Sequence, residues 1–201
     1  VVKMEHLLHT PITEDEVRRL HVGDIVYLSG IVVTARDAAH RRLLQLASKG
    51  APPMDFKGLA IYHCGPIVKK SEDGSYIVVS AGPTTSARLE HFTELVVKVL
   101  GVKLIIGKGG MGKTASEIMR RHTAAYLTLP GGAGAIAAKA IKRVVDVKWL
   151  DLGMPEALWV FEVDSLGPLI VTIDTHGRNL HLEVIRKAVE KAKRLSSGNL
   201  K

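Results

Sequence analysis

The stretch Lys103-Leu104-Ile105-Ile106-Gly107-Lys108-Gly109-Gly110-Met111-Gly112-Lys113-Thr114 decides the fold class. Lys103 to Ile106 reads as a short strand. The glycine-rich run from Gly107 to Gly112 is a tight turn, and Thr114 opens a helical pattern that reaches Arg121. Outward toward the N-terminus the same alternation recurs. Ser86 to Leu100 has helical spacing through Leu89, Phe92, Leu95, Val96 and Val99, and stops at Gly101. Tyr76 to Ser80 and Leu59 to Tyr62 read as strands, and Ala38 to Leu46 as a helix stopping near Gly50. Ile25 to Ala35 reads as a strand interrupted by the turn-like Ser29-Gly30. Thr13, followed by Glu14, Asp15 and Glu16, can cap a short helix with a capping box. Ala51-Pro52-Pro53 and Ser71-Glu72-Asp73-Gly74 are loops.

Toward the C-terminus come a strand over Ala125 to Leu129 and a small-residue helix over Ala133 to Ile141. Three strands follow (Val144 to Leu150, Leu158 to Val163, Leu169 to Ile173), then a closing helix from Leu180 to Leu195. Strands and helices alternating through the middle predict an α/β fold with a partly parallel sheet. The three late strands, with no long helices between them, predict an antiparallel part or a second layer. With no internal repeat, low-complexity tract or boundary in view, residues 1–201 are expected to form one domain.

Composition narrows the function classes. Apolar residues make up 46% of the 201, which excludes a disordered chain. No apolar run reaches the ~18 residues that cross a bilayer. The start, Val1-Val2-Lys3-Met4-Glu5-His6, lacks a basic region followed by an apolar stretch, so no secretory signal is expected there. A single cysteine, Cys64, rules out an internal disulfide framework and points to a reducing, cytoplasmic setting. One thiol cannot hold an iron–sulfur cluster either. The formal charge of +8 suits a solvated basic surface or an anion site. Nucleic acid is not the expected partner, because aromatics are only 4% and none interleave with basic residues. Cys64 reads as a small buried hydrophobe, and His6 and His9 as edge residues, since no third metal ligand accompanies them.

Gly107 to Thr114 also satisfies the P-loop pattern, with Lys113 placed to reach a phosphate and Asp174 able to pose as a magnesium-supporting acid. Against this, more than half the chain precedes the loop, and no residue suggests itself for positioning an attacking water. A glycine-rich strand-to-helix turn can serve any small anion. The run Gly132-Ala133-Gly134-Ala135-Ile136-Ala137 fits a dinucleotide fingerprint more weakly, and its small residues suit close helix–sheet packing.

Three segments share one design, a strand followed by a loop with a cation or hydroxyl and then a helix. They are Val33-Thr34-Ala35-Arg36-Asp37-Ala38-Ala39-His40, Ser80-Ala81-Gly82-Pro83-Thr84-Thr85-Ser86-Ala87-Arg88, and Ile106-Gly107-Lys108-Gly109-Gly110-Met111. Ligands of α/β sheets gather where strand ends meet helix starts, so Arg36, Thr84, Arg88 and Lys108 are expected to converge. Each has an ordinary reading as well. Arg36 could pair with Asp37, Thr84 or Ser86 could be a helix cap, and Lys108 could be solvated.

These three segments, with Leu129-Pro130-Gly131-Gly132-Ala133 as a fourth, resemble in order and spacing the motifs of the β region of class I fumarases and the related L-tartrate dehydratases. The resemblance covers about Thr10 to His176. It implies a three-layer swivelling β/β/α fold with a mostly parallel central sheet. It implies that Arg36, Arg88 and Lys108 bind the carboxylates of a small dicarboxylate and that Thr84 lies beside the carbon whose proton moves. Asp37, His40, Gly107 and Gly109 then support those residues. The implied activity is a hydro-lyase reaction, malate to fumarate first and tartrate second. The family's [4Fe-4S] cluster would sit on a cysteine-containing α subunit, leaving this chain inactive alone.

The residue types suit that chemistry. Removing a proton next to a carboxylate pushes negative charge onto it, and fixed guanidinium and ammonium groups stabilise that charge. Arginine's planar fork matches a carboxylate bidentately. Hydroxide leaves poorly unless a metal polarises it, the part an open iron of the partner's cluster would take. A threonine hydroxyl is too weak a base to work without activation from a partner carboxylate or histidine.

Overall fold

The structure, a computed structural model, describes residues 3–198. In chain order the elements are β1 (Glu5–His9), α1 (Glu14–Arg18), β2 (Ile25–Thr34), α2 (Asp37–Ala47), β3 (Ala60–Tyr62), β4 (Ile67–Lys70) and β5 (Tyr76–Ser80). A 3-10 helix (Ser86–Phe92) and a π-helical turn (Leu95–Val99) follow. Then come β6 (Leu104–Gly107), α3 (Lys113–His122), β7 (Ala125–Thr128), α4 (Gly134–Lys139), β8 (Ile141–Lys148), β9 (Leu158–Ile173) and α5 (Leu180–Gly198).

The main sheet has the order β1-β2-β3-β6-β7-β9-β8, and β2 pairs with β9 as well. Neighbours from β1 to β7 are parallel, while β9 runs antiparallel to β7, β8 and β2. Strands β2, β3, β6, β7 and β9 therefore close into a five-membered ring, with β1 and β8 outside it. The expected α/β class with a mostly parallel sheet is present, but the pairings draw a closed ring rather than stacked open sheets. Closure depends on β9. The sequence suggests two strands separated near Ser165. The chain instead runs through a kink there, with Ser165 at φ 53, and stays paired to β2 on both sides of it (Gly30↔Val163, Leu28↔Leu166, Val26↔Leu169). Likewise Ser29-Gly30 does not interrupt β2. Gly30 takes φ 95 within the strand, and the Ile31 N–H donates to Thr10 Oγ1 beside it.

The ring explains why its short strands are apolar on both faces. Alternate residues Ala60 and Tyr62, Leu104 and Ile106, Ala125 and Leu127 face inward with Val26, Leu28, Val32, Trp159 and Phe161. The intervening Ile61, Ile105 and Tyr126 face a second core with Leu43 of α2, Leu89 and Phe92 of the 3-10 helix, and Met119 of α3. The long helix expected over Ser86 to Leu100 is replaced by the 3-10 helix and π-turn. Its first residue explains the tightening, because Ser86 is tied to the ends of β3 and β6. The Thr13 capping box forms as expected. Strand β4, which the sequence reading did not find, pairs with β5 across the anticipated Ser71–Gly74 turn.

Candidate functional site

Arg36 leaves the end of β2 in extended conformation and serves as the N-cap of α2. Its own side chain does not cap the helix. Glu156, remote in sequence, does so by accepting the Ala38 N–H at 2.8 Å on Oε2. The other oxygen, Oε1, lies 3.2 Å from Arg36 Nε. That approach makes an ion pair but not a hydrogen bond, which leaves the buried Nε–H without a hydrogen-bond partner. The arginine stem crosses Gly65, where a Cβ would come within 2.6 Å of Nη1 and 2.9 Å of the Pro155 carbonyl. Only glycine leaves room for this path. Arg36 therefore pairs with Glu156, not with Asp37 as one reading allowed.

Thr84 sits on the loop after β5, and Arg88 lies one turn on, within the 3-10 helix Ser86–Phe92. Four contacts fix that loop. The Tyr62 hydroxyl donates to the Ala81 carbonyl, and the Ala81 N–H donates to the Gly134 carbonyl. The Thr84 N–H donates to the His63 carbonyl, and Cys64 bridges Pro83. Arg88 Nη2 stands 3.1 Å from Asp37 Oδ2 and 3.2 Å from Thr84 Oγ1. Because guanidinium only donates, the Thr84 hydroxyl accepts there, and its proton is free to be given elsewhere. The residue preceding the 3-10 helix is Thr85, and it makes no side-chain cap; neither Thr84 nor Ser86 plays that part.

Lys108 is joined to the same loop through its backbone. Its N–H donates to the Thr84 carbonyl and its carbonyl accepts the Ser86 N–H, both at 3.1 Å. The Tyr126 hydroxyl holds the next carbonyl, that of Gly109, at 2.9 Å, and Gly109 has φ 70, which favours glycine. Gly107 packs against the Ser86 hydroxyl so closely that a side chain there would collide with it. The lysine stem passes Gly131 of the fourth motif. The four sequence segments thus meet on one face at the ends of β2, β5 and β6.

Beneath that face lie two buried histidines. His63 places Nδ1 2.9 Å from Ser86 Oγ. His40 places Nδ1 2.8 Å from the Arg36 carbonyl, which only accepts, so Nδ1 carries the proton. The rings meet edge-on at 5.3 Å, and His40 stacks on Phe92. Burial pushes His40 down to about 4 and His63 well below the ordinary histidine value, so both are neutral at pH 7. Burial also raises the Cys64 thiol, despite the nearby Arg36. Of these supports the sequence reading named Asp37, His40, Gly107 and Gly109. It missed Glu156, which comes from the far end of the chain, and His63, whose only signal was its place just after β3.

The glycine-rich turn does not form a phosphate-binding P-loop. The N–H groups of Gly112 and Ala115, which open α3, already bond Glu90 Oε2 at 2.8 Å and Oε1 at 3.3 Å. A carboxylate of the chain occupies the place a phosphate would need. Lys113 is 84% exposed and lies 3.8 Å from Glu117 on its own helix. Asp174 is buried and accepts the N–H groups of Val22, His176 and Arg178, so it braces a turn. Gly134 packs against Ser80 and Gly82, the close packing its small neighbours suggested. His6 bonds Asp24 at 3.0 Å. Among the described residues, no cluster of three or more His, Cys, Asp or Glu side chains is arranged to hold a metal ion. A groove of about 720 Å³ lined by Pro11, Lys57, Lys98, Leu100 and Lys103 contains none of the four candidate residues.

A family model described as Fumarase C-terminus matches residues 2–184. The chain is 46% identical over 180 residues to the L(+)-tartrate dehydratase subunit beta of Escherichia coli (strain K12), covering 90% of this chain and 88% of that one. It is 46% identical over 186 residues to a Methanocaldococcus jannaschii protein assigned as L(+)-tartrate dehydratase subunit beta, covering 92% and 95%. A Geobacillus stearothermophilus protein assigned as a class I fumarate hydratase is 40% identical over 184 residues. That match covers 92% of this chain and 35% of the longer one.

Proposed function

The chain belongs to the fumarase C-terminus family, and on that premise we propose that it is the β subunit of a hydro-lyase for a 2-hydroxy dicarboxylate such as malate or tartrate. One observation carries this reading. Arg36, Thr84, Arg88 and Lys108 meet on a single open face, with Arg88 held between Asp37 and the Thr84 hydroxyl. In this reading Arg36 and Arg88 grip the substrate carboxylates. Asp37 and Glu156 orient them while leaving other N–H groups of each guanidinium to donate. Lys108 adds a point charge where negative charge develops as the proton leaves. Arg88 donating to Thr84 Oγ1 polarises that hydroxyl, which still needs a stronger base to take up a carbon-bound proton.

The iron–sulfur cluster implied by the resemblance does not fit this chain's own residues. Its one cysteine is buried with a raised thiol pKa, so it is not available as a thiolate ligand. In this reading the cluster belongs to a cysteine-containing α subunit, which would also cover the open face. The three-layer swivelling arrangement implied by the resemblance would correspond to the closed ring taken as layers. The two walls of the ring give two β layers, and α2, α3 and the 3-10 helix give the third. Among the described residues no helix is long and apolar enough to cross a membrane.

The test is to co-purify the chain with such an α subunit and assay hydration of fumarate and dehydration of L-tartrate. Turnover of either substrate by the complex, and none by the chain alone, is expected. A well-formed, cluster-loaded complex inert toward both would overturn the reading and favour an anion-binding scaffold. Calorimetry with Mg–ATP is expected to show no binding, since Glu90 fills the turn.

A further inference from the structure

The β4–β5 hairpin springs from the rim of the site. Its base is the bridge between Cys64 and Pro83. β4 departs just beyond Gly65, on which Arg36 lies, and β5 returns straight into the Thr84 loop. One face of the hairpin packs inward, with Val68 opposite Val78 and Tyr76 edge-on to Trp159 at 5.2 Å. The other face is apolar yet open to water. Ile67, Ile77 and Val79 are 60%, 55% and 54% exposed. Helix α4, which follows the fourth motif, adds Ile136 at 63%. Between them runs a groove of about 480 Å³ lined by Ile77, Val79, Ala135, Ala138, Lys139 and Val144.

We propose that this hairpin–α4 face is the docking surface for the α subunit, an inference that rests on the functional reading above. Single exposed aliphatics are ordinary, but four large ones on two adjoining elements mark an interaction surface. Position identifies the occupant. The hairpin runs directly into the Thr84 loop, and α4 follows the Gly131 loop that the Lys108 stem passes, with the Gly134 carbonyl accepting the Ala81 N–H, so a subunit closing over Thr84 and Lys108 would meet the hairpin and α4. An apolar centre with Lys69, Lys70 and Lys139 around it calls for a partner patch with an acidic rim. Helix α5 shows another apolar stripe, Leu182, Val184, Ile185 and Val189, but most of the helix lies beyond residue 184, where the family match ends. A surface beyond the shared segment is a poor seat for a subunit the family has in common.

The test measures the affinity of a fumarase- or tartrate dehydratase-type α subunit for the wild-type chain and for Ile77→Asp/Val79→Asp, Ile136→Asp and Ile185→Asp. The changed side chains point outward, so thermal unfolding should confirm that each variant is folded. The double variant is expected to bind at least about thirtyfold more weakly and Ile136→Asp about tenfold, with Ile185→Asp unchanged. At saturating α subunit the double variant should recover wild-type kcat, because the site residues are intact. Wild-type affinity in the double variant overturns the docking surface alone. So does an effect confined to Ile185→Asp, or a dimer of this chain that the double variant abolishes while α binding persists. Failure of the wild-type chain to bind any such α subunit overturns the functional reading, and this inference with it.

Discussion

Lys108 follows β6 with both its N–H and its carbonyl bonded to the Thr84–Ser86 loop, whereas Lys113, a few residues on, starts α3 with its ammonium in solvent beside Glu117. Both belong to one glycine-rich segment, and each could be read as the cation of an anion site. They differ in what the rest of the chain brings to them. Around Lys108 the loops after β2 and β5 supply further cations and a hydroxyl, and the face is left open. At the start of α3 the chain supplies Glu90, whose carboxylate takes the amides that an anion would use. A phosphate-binding pattern in sequence is therefore only half a site; the other half is whether a side chain from elsewhere already fills it.

The comparison can be pressed at several points, the largest effect first. Arg88→Ala removes the donor shared by Asp37 and Thr84. It should lower kcat/KM of the reconstituted complex by about 10²–10³ with little change in unfolding temperature, as for loss of one charge-stabilising donor. The buried floor of the open site gives the next effect, through pH. His40 and His63 titrate far below the value of about 6.5 they take when unfolded. Their contribution to stability is complete above about pH 6.5. It falls as pH drops below that value, because the unfolded chain then binds protons that the buried, folded histidines do not. Urea unfolding across that window should show the slope, and His40→Gln should reduce it. At the filled site, Glu90→Ala leaves two helix-terminal N–H groups unsatisfied and should cost about 1–3 kcal/mol in the same measurement. Gly65→Ala forces Arg36 or the Pro155 carbonyl aside and should lower kcat/KM about tenfold.

Much of the proposed site was legible in the sequence because Arg36, Thr84 and Lys108 follow strand ends, which local periodicity locates, Arg88 lies one turn beyond Thr84, and all four belong to motifs that resemble a known family. The supports were less legible because they are long-range. Glu156 caps α2 from beyond β8, and His63, just past β3, reaches Ser86 at the start of the 3-10 helix. Glu90 was hidden in a stretch read as plain amphipathic helix, so the sequence could weigh the P-loop pattern but not show what fills it. Ring closure was missed for a related reason. Asp164 to Pro168 has the composition of a break, yet β9 runs through it because β2 pairs with it on both sides. Local composition marks where a chain can turn, and the partner strand decides whether it does.

The central claim is tested most directly by Lys108→Ala and Lys113→Ala, each reconstituted with the α subunit and assayed on fumarate and L-tartrate. Lys108→Ala should lower kcat/KM by at least about a hundredfold, while Lys113→Ala should stay within about twofold of wild type. Equal losses, or a larger loss for Lys113→Ala, would contradict it.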